Sequence, residues 1–359
     1  MQWMIYGANG YTGKLIAAEA KARGLMPILA GRSDSVAALA QEHGFTHRRF
    51  DLDDGDAVRA GLDGIDLVLH CAGPFSATSA PMLEGCLEAR AHYLDITGEI
   101  DVFAHCHAQD ARARQRGIVV LPGAGFDVVP TDCLAAMLKS ELPTATHLVL
   151  AFEAGGGPSP GTAKTSVEGL GKGGRARIDG EVKRVPLAWK TRTFLRPANE
   201  PGQPAEERTA MTIPWGDVYT SYVSTGIPNV EVYMGVAPST IARLRKLRKL
   251  GPLLGTSLVQ WFLKRGVTRS VRGPSDNKRA KTVTHVWGEV RDEAGREVKR
   301  QLVVPNGYTL TVTASLGIVE HLLKGTDASG YRTPSQLMGA EYVLSLPGVS
   351  RVATTALAG

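Results

Sequence analysis

A glycine-rich stretch that ends in a lysine lies near the start of the chain: GANGYTGK, from Gly7 to Lys14. Such a loop can bind phosphate groups, because its backbone N–H groups reach the ligand without side chains in the way. An ATP-binding loop of the pattern G-x-x-x-x-G-K-[ST] would need a glycine six residues before the lysine and a hydroxyl residue after it. The chain has Ala8 and Leu15 at these positions, so the sequence argues against ATP.

The pyrophosphate of a dinucleotide fits the same loop better. Gly7, Gly10 and Gly13 follow a G-x-x-G-x-x-G spacing between a strand-like run and a helical run. In that order they can provide a tight turn, a close approach of backbone to pyrophosphate, and close packing of helix on strand. Asn9 replaces the second glycine of the commoner G-x-G-x-x-G pattern, and asparagine tolerates left-handed backbone. The predicted cofactor-binding residues of the loop are Gly7, Asn9, Gly10, Tyr11, Thr12 and Gly13; the alternative is an ordinary tight turn.

The end of the second predicted strand, LAGRSDS, indicates which dinucleotide binds. NAD-binding units usually have Asp or Glu there, about 20 residues after the loop, to accept hydrogen bonds from the ribose. This chain has Arg32, whose guanidinium can hold a 2′-phosphate, and Ser33 adds a donor. The sequence therefore favours NADP(H) over NAD(H), with Asp34 as the alternative contact for NAD.

Two further strand ends are expected at the same edge of the sheet. Asp51, after the third strand, can accept a hydrogen bond from the adenine amino group. The small residues of HCAGPF, after the fourth strand, let the backbone run close to the ribose and pyrophosphate. Those residues are Cys71, Ala72, Gly73 and Pro74. We interpret Cys71 as a small buried residue instead of a nucleophile, because no adjacent residue would lower its pKa.

The substrate side is predicted where strands five and six end, in HYLDITGE and GAGFDVVPTD. These segments bring Asp95, Thr97, Glu99 and Asp127 to neighbouring strand ends. Hydride transfer needs a positioned nicotinamide, an oriented substrate and a proton donor. The sequence does not single out one of these residues as catalytic. The Tyr-x-x-x-Lys pair of short-chain dehydrogenases is absent.

The elements that position these residues alternate between strand and helix from Met4 to Leu121, which predicts a doubly wound parallel sheet. Strand-like runs then dominate from Thr146 to Asn306, with glycine-rich and proline-rich loops at 155–174 and 196–204. Helical sequence returns after Tyr308. We predict a Rossmann α/β domain at 1–135, an inserted α+β domain for substrate or dimerisation at 136–307, and a C-terminal segment at 308–359 that packs back on the first domain.

Composition limits the class of protein. The chain has 359 residues, enough for two domains, and ordinary apolar and charged fractions. No apolar run approaches the roughly 20 residues that span a bilayer, and the N-terminus does not resemble a signal peptide. Four scattered cysteines without a C-x-x-C pair are typical of reduced cytoplasmic thiols and favour neither disulfides nor a metal site. A cytoplasmic protein is expected.

A basic segment at 238–265 has apolar residues spaced three apart among lysines and arginines. This pattern predicts an amphipathic basic helix, followed by a second helix after Gly251 and Pro252. We interpret it first as a helical hairpin that covers the second domain's sheet. The alternative is an element that contacts a membrane surface. Nucleic acid is not an expected partner, because the segment lacks interleaved aromatic residues and any known motif.

Several motifs together resemble one family. GANGYTG, AGR, HCAGPF, HYLDITGE, PGAGFDVVPTD and the late stretch GYRTPSQLMGAEYVLSLPGVS are similar to the saccharopine dehydrogenase-like NAD(P)-binding oxidoreductases, including bacterial members of the trans-acting enoyl reductase type. The resemblance implies a Rossmann domain with an inserted second domain, and a homodimer formed through the second domain's sheet. It does not imply one substrate.

Two hypotheses of function follow. In the first, the chain is an NADP(H)-dependent oxidoreductase that transfers hydride to a C=C or C=N bond of a small or lipid-like substrate in the cleft between the domains. In the second, it is a non-catalytic nucleotide-binding or lipid-associated interaction protein on the same fold.

Overall fold

The computed structural model describes residues 1–197 and 205–352, which fold into two compact units. Unit 1 consists of Met1–Val129 and Tyr308–Gly339, and unit 2 consists of the described residues of Pro130–Gly307 together with residues 340–352. Most of the proline-rich loop predicted at 196–204, and the last seven residues of the predicted C-terminal segment, lie outside the described residues.

The first part of the chain alternates strand and helix, as predicted. Its elements are β1 (Trp3–Tyr6), α1 (Tyr11–Ala22), β2 (Ile28–Gly31), α2 (Ser35–His43), β3 (His47–Arg49), α3 (Gly55–Gly61), β4 (Leu67–His70), α4 (Phe75–Ala89), β5 (His92–Asp95), α5 (Ile100–Ala108), α6 (Asp110–Arg116) and β6 (Val119–Leu121). The single helix expected at 102–116 is thus two helices, which meet at Gln109.

Strands dominate the middle of the chain, and helices return near its end. The elements are α7 (Val129–Glu141), β7 (His147–Ala154), α8 (Pro160–Lys172), β8 (Gly174–Ile178), β9 (Glu181–Val185), β10 (Thr191–Arg196), β11 (Glu206–Thr212), α9 (Asp217–Thr225), β12 (Asn229–Gly235), α10 (Pro238–Leu247), a 3-10 helix (Arg248–Leu250), α11 (Gly251–Leu254), α12 (Ser257–Ser270), α13 (Asp276–Lys281), β13 (Val283–Arg291), β14 (Glu297–Pro305), α14 (Gly307–Leu323), β15 (Gly330–Tyr331), α15 (Pro334–Met338), a second 3-10 helix (Tyr342–Ser345) and β16 (Ser350–Arg351).

Unit 1 contains a parallel sheet of seven strands in the order β15-β6-β5-β4-β1-β2-β3. Its central strands are apolar and fully buried, as shown by Ile5 in β1 and Val68 in β4, because helices cover both faces of such a sheet. The strand order reverses beside β1. This confirms the predicted doubly wound fold and places the switch point, where such sheets bind ligands, at the ends of β1 and β4.

Unit 2 contains a mixed sheet in the order β10-β11-β12-β7-β13-β14-β16, with β8 on β12 and β9 on β8. β12 and β7 are parallel, whereas β7, β13 and β14 are antiparallel neighbours. The predicted second α+β domain is confirmed, because the strand-like sequence between Thr146 and Asn306 forms most of this mixed sheet.

The glycine-rich loop expected at 155–174 is largely the helix α8. It starts there because the Ser159 side chain accepts a hydrogen bond from the Thr162 N–H and Pro160 occupies the first turn. Proline suits that position, since the backbone N–H it lacks would have no partner inside the helix.

The two units divide the chain at slightly different points from the predicted domains. The first division falls at Val129 and Pro130, at the start of α7, instead of after position 135. Residues 308–339 belong to unit 1, but residues 340–352 belong to unit 2, because β16 pairs with β14 through Ser350–Val303 and Arg351–Leu302. None of the helices described is long and apolar enough to cross a membrane.

Candidate dinucleotide site

The glycine loop between β1 and α1 is a tight turn in close contact with the end of β4. Gly7 has φ +79°, and its N–H donates to the Ala30 carbonyl at 2.8 Å. A Cβ on Gly7 would lie 2.7 Å from the backbone nitrogen of Ala72, and a Cβ on Gly13 would overlap the Gly7 carbonyl oxygen. Side chains are excluded at both positions, so the cradle needs glycine for steric reasons.

The N-terminus of α1 opens onto this cradle. No side chain caps the helix at Gly10, and its first turn carries no acidic residue. Unpaired N–H groups and the helix dipole give such an end a partial positive charge. Gly10 is exposed, with φ −72°. A pyrophosphate therefore fits here by charge and by space.

Helix α14 supplies a residue that the sequence argument missed. Tyr308 packs edge-on against Tyr11, with ring centroids 5.0 Å apart. Tyr11 and Thr12 are half-buried in the first turn of α1. No motif marks Tyr308, because it is about 300 residues from the loop and is brought there only by the fold.

The end of β2 is linked to the glycine loop through side chains. Asn9 Nδ2 donates to Ser35 Oγ at 2.9 Å, and Ser35 Oγ lies 3.1 Å from Ser33 Oγ. Arg32 is exposed beside this chain of polar groups. Asp34, the alternative contact for NAD, forms an ion pair with Arg49 at 2.7 Å.

The ends of β1, β2 and β3 meet around the hydroxyl of Tyr6. This hydroxyl donates to the Phe50 carbonyl at 3.0 Å. Burial, and then the negative charge of Asp51, raise the pKa of Tyr6 to about 12, while the positive charge of Arg32 opposes the shift. Arg32 and Asp51 therefore both lie near enough to the Tyr6 hydroxyl to affect its ionisation. Asp51 itself is exposed.

The end of β4 packs tightly against β1. The Cys71 N–H donates to the Tyr6 carbonyl at 2.7 Å, and the Thr78 hydroxyl donates to the Ala72 carbonyl at 2.6 Å. Burial raises the pKa of the half-buried Cys71 thiol, so it stays protonated and is not an activated nucleophile. Gly73 and Pro74 follow, joined by a cis peptide bond.

His70, at the end of β4, is fully buried and was not singled out by the sequence. Its Nε2 lies 3.0 Å from Thr78 Oγ1, and its ring packs edge-on against Phe75. Burial lowers the pKa of His70 to about 3, so the imidazole is neutral at physiological pH. It stabilises the turn after β4 and is not a proton donor.

Asp95 connects the ends of β5 and β6. It is fully buried and accepts hydrogen bonds from the Tyr93 hydroxyl at 2.7 Å and from the N–H groups of Thr97 and Gly123, each at 2.9 Å. Burial outweighs these donors and raises the pKa of Asp95 to about 6. Thr97 is fully buried too. Asp95 and Thr97, predicted to line the substrate pocket, have no exposed surface here and instead fix the two strand ends.

Replacing Asp95 by alanine is expected to lower the free energy of unfolding by at least about 3 kcal/mol, because each buried donor left without a partner costs about 1–3 kcal/mol. Urea unfolding measures this. Asp63→Ala, at an exposed aspartate, is the matched control and should change stability by less than about 0.5 kcal/mol. Equal losses in the two variants would contradict this role of Asp95.

Glu99 caps the helix that follows β4. Its two carboxylate oxygens accept hydrogen bonds from the N–H groups of Phe75 and Ser76, both at 3.0 Å. A carboxylate at this end of a helix satisfies orphan donors and complements the dipole. Glu99 thus joins the turn after β5 to the turn after β4, and places a negative charge at the predicted substrate side.

Asp127 lies in a strained turn after β6. The next residue, Val128, has φ +134°, and its N–H donates to the Phe126 carbonyl at 2.8 Å. A β-branched residue rarely adopts a positive φ, and such strain concentrates at functional sites. Asp127 packs on the backbone before Glu99, since a Cβ on Gly98 would lie 3.2 Å from Asp127 Oδ2.

The carboxyl group of Asp127 is half-buried and has no hydrogen-bond or ion-pair partner in the described part of the chain. Burial, and then the negative charge of Glu99, raise the pKa of Asp127 to about 7. A carboxyl group that titrates near neutral pH can donate a proton under physiological conditions. Within the described ranges, the structure contains no cluster of His, Cys, Asp or Glu that could hold a metal ion.

Strand order 3-2-1-4-5-6 with a glycine-rich first turn and an open helix N-terminus defines a Rossmann dinucleotide-binding domain. Residues 3–121 match the family model described as the saccharopine dehydrogenase NADP binding domain. The resemblance seen in the motifs is therefore confirmed for this part of the chain. A nicotinamide cofactor is the type of ligand that the family binds.

Two curated proteins of the same type are similar in sequence to this chain. A saccharopine dehydrogenase-like oxidoreductase of Homo sapiens is 24% identical over 214 residues, or 51% of this chain and 50% of that protein. A trans-acting enoyl reductase of Mycobacterium tuberculosis is 30% identical over 144 residues, or 36% of this chain and 33% of that protein. The chain spans half or less of the length of these relatives.

One solved structure has the same fold over nearly the whole chain. Apo saccharopine dehydrogenase (L-Glu forming) of Saccharomyces cerevisiae superposes with a TM-score of 0.66 at 11% identity, covering 98% of this chain and 100% of that one.

Proposed function

We propose that the chain is an NADP(H)-dependent oxidoreductase that reduces a C=C or C=N bond of a small or lipid-like substrate. The observation that carries this proposal is the unpartnered carboxyl group of Asp127, which the fold holds at the end of β6 in a domain of the nicotinamide-binding type. The relatives named enoyl reductase and saccharopine dehydrogenase-like oxidoreductase support this class of bond.

The residues of unit 1 fit NADP(H) at three points. The N-terminus of α1 accommodates the pyrophosphate, because no side chain caps it and Gly10 is exposed. Gly7 and Gly13 allow the tight packing of the turn that forms this cradle. Arg32 binds the 2′-phosphate, since its guanidinium is exposed and Asp34 is engaged by Arg49. The Asp51 carboxylate accepts a hydrogen bond from the adenine amino group. The bound nicotinamide supplies the hydride.

Asp127 donates the proton that balances hydride addition. In its protonated form the carboxyl group delivers this proton to the carbon or nitrogen that becomes electron-rich, and solvent then restores it. Burial, and then the negative charge of Glu99, raise the pKa of Asp127 and keep it protonated up to about neutral pH, because both disfavour the ionised form. Glu99 itself stays fixed by the two N–H groups at the start of α4.

Arg32→Ala tests the choice of cofactor. The affinity for NADPH should fall about 10- to 100-fold, the effect of losing a charge-assisted bidentate contact. The affinity for NADH should change less than about threefold, because NADH has no 2′-phosphate. Titration of each dinucleotide into wild type and variant measures both. Arg59→Ala, at an exposed arginine of α3, is the control, and equal losses for NADPH and NADH would contradict the assignment.

The activity itself is tested by NADPH consumption with panels of enoyl thioesters, imines and ketones, followed by absorbance. Turnover of an enoyl or imine substrate that Asp127→Asn slows by about 10²-fold or more supports the proposal. Tight NADPH binding without oxidation across all classes would favour the alternative, a nucleotide-binding protein without turnover.

A further inference from the structure

Unit 2 exposes an unusual cluster of large apolar side chains on α11, α12 and the short helix before them. These exposed side chains are Leu250, Leu253, Leu258, Trp261, Phe262 and Leu263. Large apolar groups gathered in this way usually mark an interaction surface, whereas single exposed ones need no explanation. We call this cluster, with its flanking basic residues, the basic apolar patch.

Helix α12 has one face on the protein and the other in solvent. Gln260 faces inward, since its Nε2 donates to the carbonyls of Val167 in α8 and Leu254 at 2.9 and 2.8 Å. Leu258, Trp261 and Phe262 are 65%, 52% and 61% exposed. Residues three and four apart share one side of a helix, so they form a continuous outward stripe.

A positively charged side chain lies next to the apolar stripe. The Arg265 guanidinium lies 5.2 Å from the centroid of the Trp261 ring, and the Trp261 and Phe262 rings contact each other edge-on at 4.8 Å. This leaves one large apolar surface with a cation at its end. Aromatic side chains beside basic ones are characteristic of helices that lie in the headgroup region of a bilayer.

The charged side chains of the segment that carries the patch have one sign. Residues 238–275 contain nine Lys and Arg and neither Asp nor Glu. Arg243, Lys246, Arg248 and Lys249 are exposed and form no ion pair within the part of the chain that the structure describes. Two copies of such a patch would repel each other, and nucleic acid offers no apolar surface to match the stripe. An anionic lipid surface offers negatively charged headgroups to the basic side chains and apolar lipid to the stripe.

We propose that the basic apolar patch docks the protein on the surface of an anionic lipid bilayer, with Trp261 and Phe262 inserted at the headgroup boundary. The helices lie on the membrane and do not cross it. The lysines and arginines of α10 attract the anionic headgroups, and the apolar stripe of α12 then replaces water with lipid.

Co-sedimentation of the full chain with vesicles tests the proposal. Wild type should bind vesicles of phosphatidylcholine mixed with phosphatidylglycerol and bind pure phosphatidylcholine much less. Trp261→Ser/Phe262→Ser should lower the partition coefficient by about tenfold or more, because the inserted apolar area is lost. Lys246→Gln/Lys249→Gln should lower it about fivefold per charge removed, and added salt should reduce the binding of wild type.

Met26→Ser/Val283→Ser removes two exposed apolar side chains outside the patch and is the matched control, which should bind as wild type does. Thermal unfolding checks that each variant keeps its fold. The proposal is overturned if wild type does not bind anionic vesicles at low salt, or if the patch variants bind as strongly as the control. It is also overturned if the Trp261→Ser/Phe262→Ser variant loses only self-association, since a second copy would then cover the patch.

Discussion

Asp127→Asn is expected to lower kcat by about 10²- to 10⁴-fold, the usual contribution of a positioned proton donor, with little change in NADPH affinity. The amide keeps the size of the side chain and its packing against Gly98, but it has no acidic proton. Steady-state rates with an enoyl or imine substrate measure the loss, and dinucleotide titration verifies binding. Asp63→Asn, at an exposed site, is the control. A near-wild-type kcat in Asp127→Asn would show that Asp127 is not the proton donor.

The pH dependence gives a second test of Asp127. Because its pKa is raised to about 7, the group is protonated below that pH, so kcat should fall as pH rises through about 7. The raised pKa of Asp127 also makes the stability of the fold depend on pH. A carboxyl group with a raised pKa in the folded state favours folding below its ordinary pKa, and this contribution is lost as pH rises toward 7.

Asp127→Asn should therefore raise the thermal midpoint more at pH 8 than at pH 4, while it lowers activity. A residue with only a structural role would instead lose stability at both values. Glu99→Gln should move the activity profile to lower pH, because it removes the charge that helps to raise the pKa of Asp127. An unmoved profile would contradict the coupling of the two carboxyl groups.

Gly7→Ala is expected to lower the free energy of unfolding by about 2–5 kcal/mol: about 1–2 kcal/mol for a side chain at positive φ and about 1–3 kcal/mol for overpacking. The new methyl group would lie 2.7 Å from the backbone of Ala72, which cannot move without shifting the end of β4. Dinucleotide binding should be lost with it. Chemical unfolding and NADPH titration measure the two effects.

Gly10→Ala tests the effect of the loop on NADPH affinity apart from its effect on the free energy of unfolding. A Cβ at Gly10 would lie 3.2 Å from the Gly7 carbonyl oxygen, which can give way slightly, and the residue has negative φ. We expect little change in unfolding but at least a tenfold loss (~1.4 kcal/mol) of NADPH affinity, because the methyl group occupies the phosphate cradle. Gly55→Ala, at the start of α3 with open space around it, is the control. Unchanged NADPH affinity in Gly10→Ala would show that the loop does not bind the cofactor's phosphates.

Much of unit 1 could be predicted from local sequence. Strands β1, β2, β4 and β6 are short, largely buried apolar runs, whereas β3 is His-Arg-Arg and mostly exposed. Each of the strands from β1 to β6 is followed by turn residues and a helix. Such periodicity depends on neighbours in the chain, so it can be recognised without the fold. Unit 2 was predicted less well at 155–174, where glycines suggested a loop but Ser159 and Pro160 start a helix.

The sequence by itself determined the doubly wound domain, the glycine cradle and the place of Arg32, because each follows from spacing along one strand-turn-helix unit. The tertiary structure decided which acidic residues are available for chemistry. Asp95 and Glu99 carry the same functional group as Asp127, but buried donors hold Asp95 and a helix end holds Glu99. Asp127 alone of the three has no partner among the described residues. Partners come from elements distant in sequence, and burial and nearby charge set the pKa, so no local pattern could distinguish these carboxyl groups.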